Sequence, residues 1–167
     1  MGLAAGAVQH AQAVGAAVQR RVDVNLTSTV YTFDAGPVEL AVTFSSPMGM
    51  ATDFSLVSES ISSITFAARA TDNSSHQTRA YLDLSGEWCT NSAASAVTWS
   101  RLRAPNLDVL TMGRVDQPVL VNTGDRRKID WGRVCLAAPA GSGTVIGSHD
   151  RSRAHFAKTG RSLASDD

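Results

Sequence analysis

Val38, Leu40, Val42 and Phe44 alternate with Glu39, Ala41 and Thr43. That strict period of two gives an extended strand one apolar and one polar face, whereas a helix would scatter the same four side chains around its axis. The segment therefore commits this part of the chain to β-structure, with the apolar four facing a core. The pattern begins earlier: Val22, Val24 and Leu26 alternate with Asp23 and Asn25, and Val30 resumes the parity before Tyr31 and Phe33. This predicts a strand from Arg21 that bends around Thr27 to Thr29. Asp34-Ala35-Gly36-Pro37 is a turn signal, so the two runs should pair as an antiparallel hairpin over a four-residue connection.

Ser46-Pro47 ends the second run, and residues 48–57 lack a strong period and read as a crossing between sheets. Ile64, Phe66 and Ala68 alternate again, and Thr78, Ala80, Leu82 and Leu84 continue beyond a polar loop at 71–76, which predicts a second hairpin. Shorter candidates follow at 97–100, 107–112, 117–121 and 129–137, each bounded by Gly, Pro, Asn or Asp. About eight short strands at close spacing mark an all-β protein, and the expected fold is an antiparallel β-sandwich with a short C-terminal helix.

Residues 1–20 are rich in Ala, Gly and Val and contain no basic residue before Arg20, while Gln9, His10 and Gln12 break the apolar run. They read as a disordered or weakly helical lead, not as a signal peptide. Residues 21–140 form the expected sandwich domain. After the loop at 139–143, Asp150 is a candidate cap for a weakly docked helix from Arg151 to Lys158, with Gly160 in the C′ position. Residues 141–167 thus read as a linker with a short helix, leading toward a domain outside this chain.

Composition narrows the function classes. Lys plus Arg and Asp plus Glu number 15 each, so the formal charge is zero and no basic excess exists to neutralise a nucleic-acid backbone. No apolar stretch reaches the 18 residues of a membrane span. Apolar residues at 43% exclude an intrinsically disordered chain, and the low charged fraction of 18% suits a Ser/Thr-rich extracellular domain.

Motifs for phosphate, dinucleotide or metalloprotease chemistry are missing, and the four histidines are scattered. No cofactor or metal is expected. Ser148-His149-Asp150 has the letters of a triad, but a triad needs its members on different elements, so this reads as a loop entering a helix. Glu87-Trp88 and Asp130-Trp131 pair an acid with an aromatic ring. Carboxylates about 5 to 9 Å apart serve glycoside hydrolysis, and Trp faces stack on sugars; strand-end acids beside core tryptophans are the plainer reading. Asn25-Leu26-Thr27 and Asn73-Ser74-Ser75 meet the glycosylation rule. Cys89 and Cys135 are too far apart in sequence for a zinc cluster. If their strands are neighbours they would close a loop of about 45 residues worth roughly 4 kcal/mol; otherwise they are two small buried residues.

Several stretches, taken in order, resemble the glutaminase A family of fungi and bacteria: 27–47, 61–88, 97–102, 112–125, 129–132 and 147–160, with the terminal Asp166-Asp167. Together they cover roughly Val22 to the end. The resemblance implies the N-terminal β-sandwich domain of a secreted, extracellular amidohydrolase that converts L-glutamine to L-glutamate and ammonia. It also implies a helical toroid domain as partner, absent from this chain. Glu87, Trp88, Asp116, Asp130 and Trp131 match the strongest motifs and become candidate interface or ligand-lining positions, with no catalytic residue among them. Cys89 and Cys135 stand where the family pattern has apolar residues, which implies two reduced, buried thiols. A carbohydrate-binding or glycoside-hydrolase-associated module, with Trp88, Trp99 or Trp131 as platform, is the alternative.

Overall fold

A computed structural model describes residues 15–46, 60–92, 94–121, 123–125 and 129–164, together with Ser55 and Ser58. The chain divides between Ala80 and Tyr81 into two units. The expected crossing at 48–57 lies almost wholly outside the described residues, as does most of the N-terminal lead.

The first unit is a four-stranded antiparallel sheet in the order β1-β2-β3-β4, with β1 Val18–Val24, β2 Ser28–Ala35, β3 Val38–Ser45 and β4 Ser63–Ala70. The expected bend at 27–29 is a chain reversal: Val24 pairs with Thr29, Asn25 N–H donates to the Ser28 carbonyl at 2.8 Å, and β1 returns alongside β2. The β2–β3 connection is tighter than expected. Ala35 pairs with Val38, leaving Gly36-Pro37 as a two-residue turn with Gly36 at φ 69°. A glycine in the first central position is what a tight hairpin of this hand requires.

β3 and β4 are neighbours in one sheet, so the chain between them returns to the same sheet instead of crossing to another. The register places Val22, Tyr31, Val42 and Phe66 in one row, with Phe33, Leu40 and Ala68 in the next. One face is therefore apolar across all four strands. Tyr31 meets Phe44 edge-on at 5.8 Å, a diagonal cross-strand pair of the kind that stabilises sheets. Val38 is buried and Leu40 and Val42 are half-buried, but Phe44 is 45% exposed, so the apolar row is not buried along its whole length. The other face carries the Arg69–Glu39 ion pair at 2.9 Å and the Ser45–Ser63 hydroxyl pair at 2.8 Å.

The second unit holds a three-stranded antiparallel sheet in the order β5-β6-β7, with β5 Val97–Ala104, β6 Leu107–Arg114 and β7 Arg133–Pro139, and one helix, α1 His149–Thr159. The all-β class with a short C-terminal helix is thus present, built from seven described strands. Two expected strands are not. Residues 77–84 are not a strand, and within them Tyr81 and Asp83 meet α1 instead. Residues 117–121 are turns: Val119 N–H bonds to the Gln117 carbonyl across Pro118, which has no N–H for a ladder. Gly132, at φ 87°, delays the last strand to Arg133.

Helix α1 starts earlier than expected. Ser148 is the extended residue before it, and Asp150 lies within the first turn, where its charge suits the helix dipole. Gly160 ends it in the left-handed conformation at φ 63°, donating to the Phe156 carbonyl. The helix is also better anchored than its small apolar face suggests, since Phe156 packs on Tyr81 at 5.0 Å and Ser152 is buried. No helix among the described residues is long and apolar enough to cross a membrane.

Candidate functional site

The site grows from the end of β6. Gly113 is buried because its neighbours leave no room for a side chain: a Cβ there would lie 2.8 Å from the Gly132 carbonyl oxygen and 2.9 Å from Arg133 Cγ. That close approach brings the 129–132 segment against the strand end. Arg114 follows, and its guanidinium serves two acids. Nε and Nη2 donate to the Asp116 carboxylate at 2.8 and 2.7 Å, while Nη1 donates to Asp130 Oδ2. The fork holds the Asp116 carboxyl below the usual carboxylate range, chiefly through these hydrogen bonds.

Asp130 is the deepest side chain described, at 1% exposure, and its Oδ1 has no hydrogen-bond partner. Gln117 completes the clamp: its Nε2 donates to the Arg114 carbonyl at 2.7 Å and its Oε1 accepts from Gly132 N–H at 2.6 Å. Two loops, 115–121 and 129–132, are thereby tied to one strand end by polar groups. Their apolar side chains point elsewhere. Val115, Val119, Leu120, Val121 and Ile129 are between 56 and 74% exposed, and Trp131 is 36% exposed. Leu120 has φ 57°, a left-handed conformation that costs a non-glycine residue about 1–2 kcal/mol.

Glu87 and Trp88 occupy a 3-10 turn, Gly86–Trp88, against the same strand end. A Cβ at Gly86 would lie 3.2 Å from Val97 Cγ1 and 3.8 Å from Met112 Sδ, and Val97 is the cross-strand partner of Arg114. Trp88 is 71% exposed and Glu87 is exposed. All five candidates thus gather at one end of one sheet. Arg114, the residue that connects two of them, lies within the 112–125 stretch but was not among the candidates; Asp116 two positions on and the 129–132 stretch were the available signal. No direct bond links Glu87 to the Arg114 clamp among the described residues, so the two acid–tryptophan pairs do not form a bridged carboxylate pair.

The other sequence candidates resolve individually. His149 Nε2 lies 3.1 Å from Asp150 Oδ1 on a single exposed helical turn, with Ser148 just before it, which is not the geometry of a triad. His76 bonds Asp72 Oδ1 at 2.9 Å in an exposed loop, the loop that carries Asn73. Cys89 is buried, its thiol pushed up by desolvation and donating to the Gly86 carbonyl at 3.3 Å. Cys135 is exposed, contrary to expectation, because it projects from the face of β7 opposite to half-buried Val134 and Leu136. Neither is in a disulfide. No three His, Cys, Asp or Glu side chains among the described residues are grouped to hold a metal ion.

Taken together, these features define a β-domain whose best-organised region is an arginine-clamped acid beneath a display of exposed apolar side chains. Residues 27–167 match the family described as a domain of unknown function, DUF5127, and the chain belongs to that family. No curated protein and no solved structure matches it.

Proposed function

We propose that this chain is the non-catalytic β-sandwich domain of a secreted, glutaminase A-like amidohydrolase, and that it docks on a helical toroid domain through the loops clamped by Arg114. The observation that carries this reading is the exposed apolar set on loops 115–121 and 129–131, held in place by a polar network around the buried Asp130 carboxylate. Interface centres are built this way, from apolar and aromatic groups on a preorganised base, because burying them on association releases water while the preorganised loops lower the ordering cost. The ordered resemblance to glutaminase A sequences supplies the partner and the parent reaction, L-glutamine to L-glutamate and ammonia. The domain's contribution is to support that active site, not to supply its nucleophile.

A second reading, a carbohydrate-binding module, is favoured by the exposure of Trp88, Trp99 and Trp131. A sugar platform uses ring faces with polar donors around them. Val119, Leu120, Val121 and Ile129 have no use in such a site, and they weigh toward a protein partner.

The test uses the purified 167-residue chain and a separately expressed toroid domain from a glutaminase A protein. The chain alone should show no glutaminase turnover, and it should bind the toroid with an affinity reduced at least tenfold by Leu120→Asp. Glutaminase turnover by the chain alone would overturn this reading. Tryptophan fluorescence that responds to oligosaccharides below millimolar concentration, with no toroid binding, would transfer the assignment to the second reading.

A further inference from the structure

The four described edge strands are not equally protected against pairing. A sheet edge presents unpaired N–H and C=O groups, and proteins blunt it with charges, prolines and bulges. β1 has all but proline: its register slips between Gln19 and Arg21, Arg20 pairs with Asp34, and Arg21 pairs with Asp23 at 2.8 Å. β5 carries Arg101 and Arg103, and the Arg101 guanidinium bonds Thr144 Oγ1 and its carbonyl at 3.0 and 3.1 Å. β7 is bounded by Arg133 and Pro139.

β4, Ser63–Ala70, has neither bulge nor proline, and one charged residue against three on β1 and two on β5. It pairs with β3 in unbroken register over eight residues, contains no proline, and exposes every residue but Ile64. That single charge, Arg69, sits one residue from the strand's end, where it pairs with Glu39 on the inner neighbour.

We propose that β4 is a homodimerisation edge, occupied by β4 of a second copy of this chain in antiparallel pairing. An antiparallel strand is complementary to itself about a dyad normal to the sheet, and that dyad keeps each face on its own side. Centred on Phe66, the pairing sets Phe66 opposite Phe66 of the second copy and Ile64 opposite Ala68. On the other face it sets Thr65 opposite Ala67 and Ser63 opposite Arg69. No like charges meet. The apolar face running from Val22 through Tyr31, Val42 and Phe66 then continues across the dyad into an eight-stranded sheet. Because β1 is guarded by its bulge and ion pairs, association stops at two copies instead of growing into a fibre. One strand edge buries less than a standard interface, so the dimer belongs to the weak, concentration-dependent class.

Sedimentation of the full chain from about 10 to 500 μM tests this, a range that brackets weak association. The mass should rise toward twice the monomer, while Ala67→Lys, which sets a charge on the exposed edge, should remain monomeric over the same range. Leu102→Lys, the same change on β5, should dimerise like the parent. Hydrogen exchange on the unaltered protein provides a second measurement: β4 amides should gain protection with concentration and β1 amides should not. A parent chain monomeric throughout, an A67K chain that still dimerises, or equal protection changes on β1 and β4 would each overturn the proposal.

Discussion

Arg153 Nε and Nη2 donate to the two carboxylate oxygens of Asp83 at 2.7 and 2.9 Å, joining helix α1 to a loop segment 70 residues earlier in the same unit. Tyr81 and Phe156 pack beside this fork, and the Tyr81 hydroxyl donates to Asp83 Oδ2 at 3.3 Å. A charged fork and a ring contact thus anchor the helix here.

Both groups give this attachment a pH window. Hydrogen bonds from Arg153 hold the Asp83 carboxyl below its ordinary value, so their stabilisation is present above about pH 4, the unfolded carboxyl's range, and is lost as pH falls through the lower folded value. Burial, with the Asp83 charge second, pushes the Tyr81 phenol up to about 12. Its contribution is present below about pH 10 and is lost as pH rises toward that folded value. Arg153→Ala should lower stability by about 0.2–1 kcal/mol at pH 7, as expected for a partly exposed pair. Thermal melts of this variant and the parent should differ at pH 7 and converge in acid, once the Asp83 carboxyl is protonated in the folded state; a constant difference at all pH values would show that the fork is not the source.

A second prediction separates the partners of the buried acid. Arg114→Ala leaves the Asp130 carboxylate at 1% exposure without a cation, and it should be the more destabilising of the two changes. Asp130→Asn removes the buried charge while Arg114 keeps Asp116, so it should cost less than half as much. Urea unfolding of the two variants measures the order directly, and a more costly D130N would mean that the fork is not Asp130's principal support.

Gly113→Ala tests the close approach beneath the site. The added methyl meets the Gly132 carbonyl at 2.8 Å, which is backbone and cannot swing aside, so a cost of about 1–3 kcal/mol is expected. The indole fluorescence of Trp131 should shift with it, because the loop carrying that ring must move.

The cysteines differ in reach, not only in burial. Cys135 should label rapidly with a neutral thiol reagent, and Cys89 should label at least tenfold more slowly, since its thiol is covered and pushed up by burial. Equal rates would place Cys89 at the surface.

Much of the fold was legible where one face alternates. The period-two run in β3 located the sheet centre, and the Gly36-Pro37 turn followed from residue chemistry. Residues 78–84 alternate just as cleanly, yet they form no strand and Leu82 is 38% exposed, because periodicity records which residues are apolar and not what covers them; it is the opposite-parity Tyr81 and Asp83 that meet α1. The site was half legible. Glu87-Trp88 and Asp130-Trp131 stand out as acid–aromatic pairs, whereas Arg114 is one arginine among many until the chain reversal at β6–β7 brings Asp130 to it. Long-range pairing is a property of topology, and local spacing does not encode it.

Leu120 provides the sharpest test of the exposed surface. It is 74% exposed and held at φ 57°, so in the isolated chain it contributes neither burial nor a relaxed backbone. Asn tolerates this conformation better than Leu, because its short polar side chain bonds locally. Leu120→Asn should therefore leave the unfolding free energy unchanged or raise it by up to about 1 kcal/mol, an unusual outcome for replacing a large apolar residue, which in a core costs about 2–5 kcal/mol when cut to Ala. The same substitution removes apolar area from the centre of the proposed docking surface and should weaken toroid binding. Stability gained with binding lost is the signature of a residue strained for a partner. A loss of more than about 1 kcal/mol in urea unfolding would instead put Leu120 in the packing of the domain itself, and the docking surface would have to be redrawn without it.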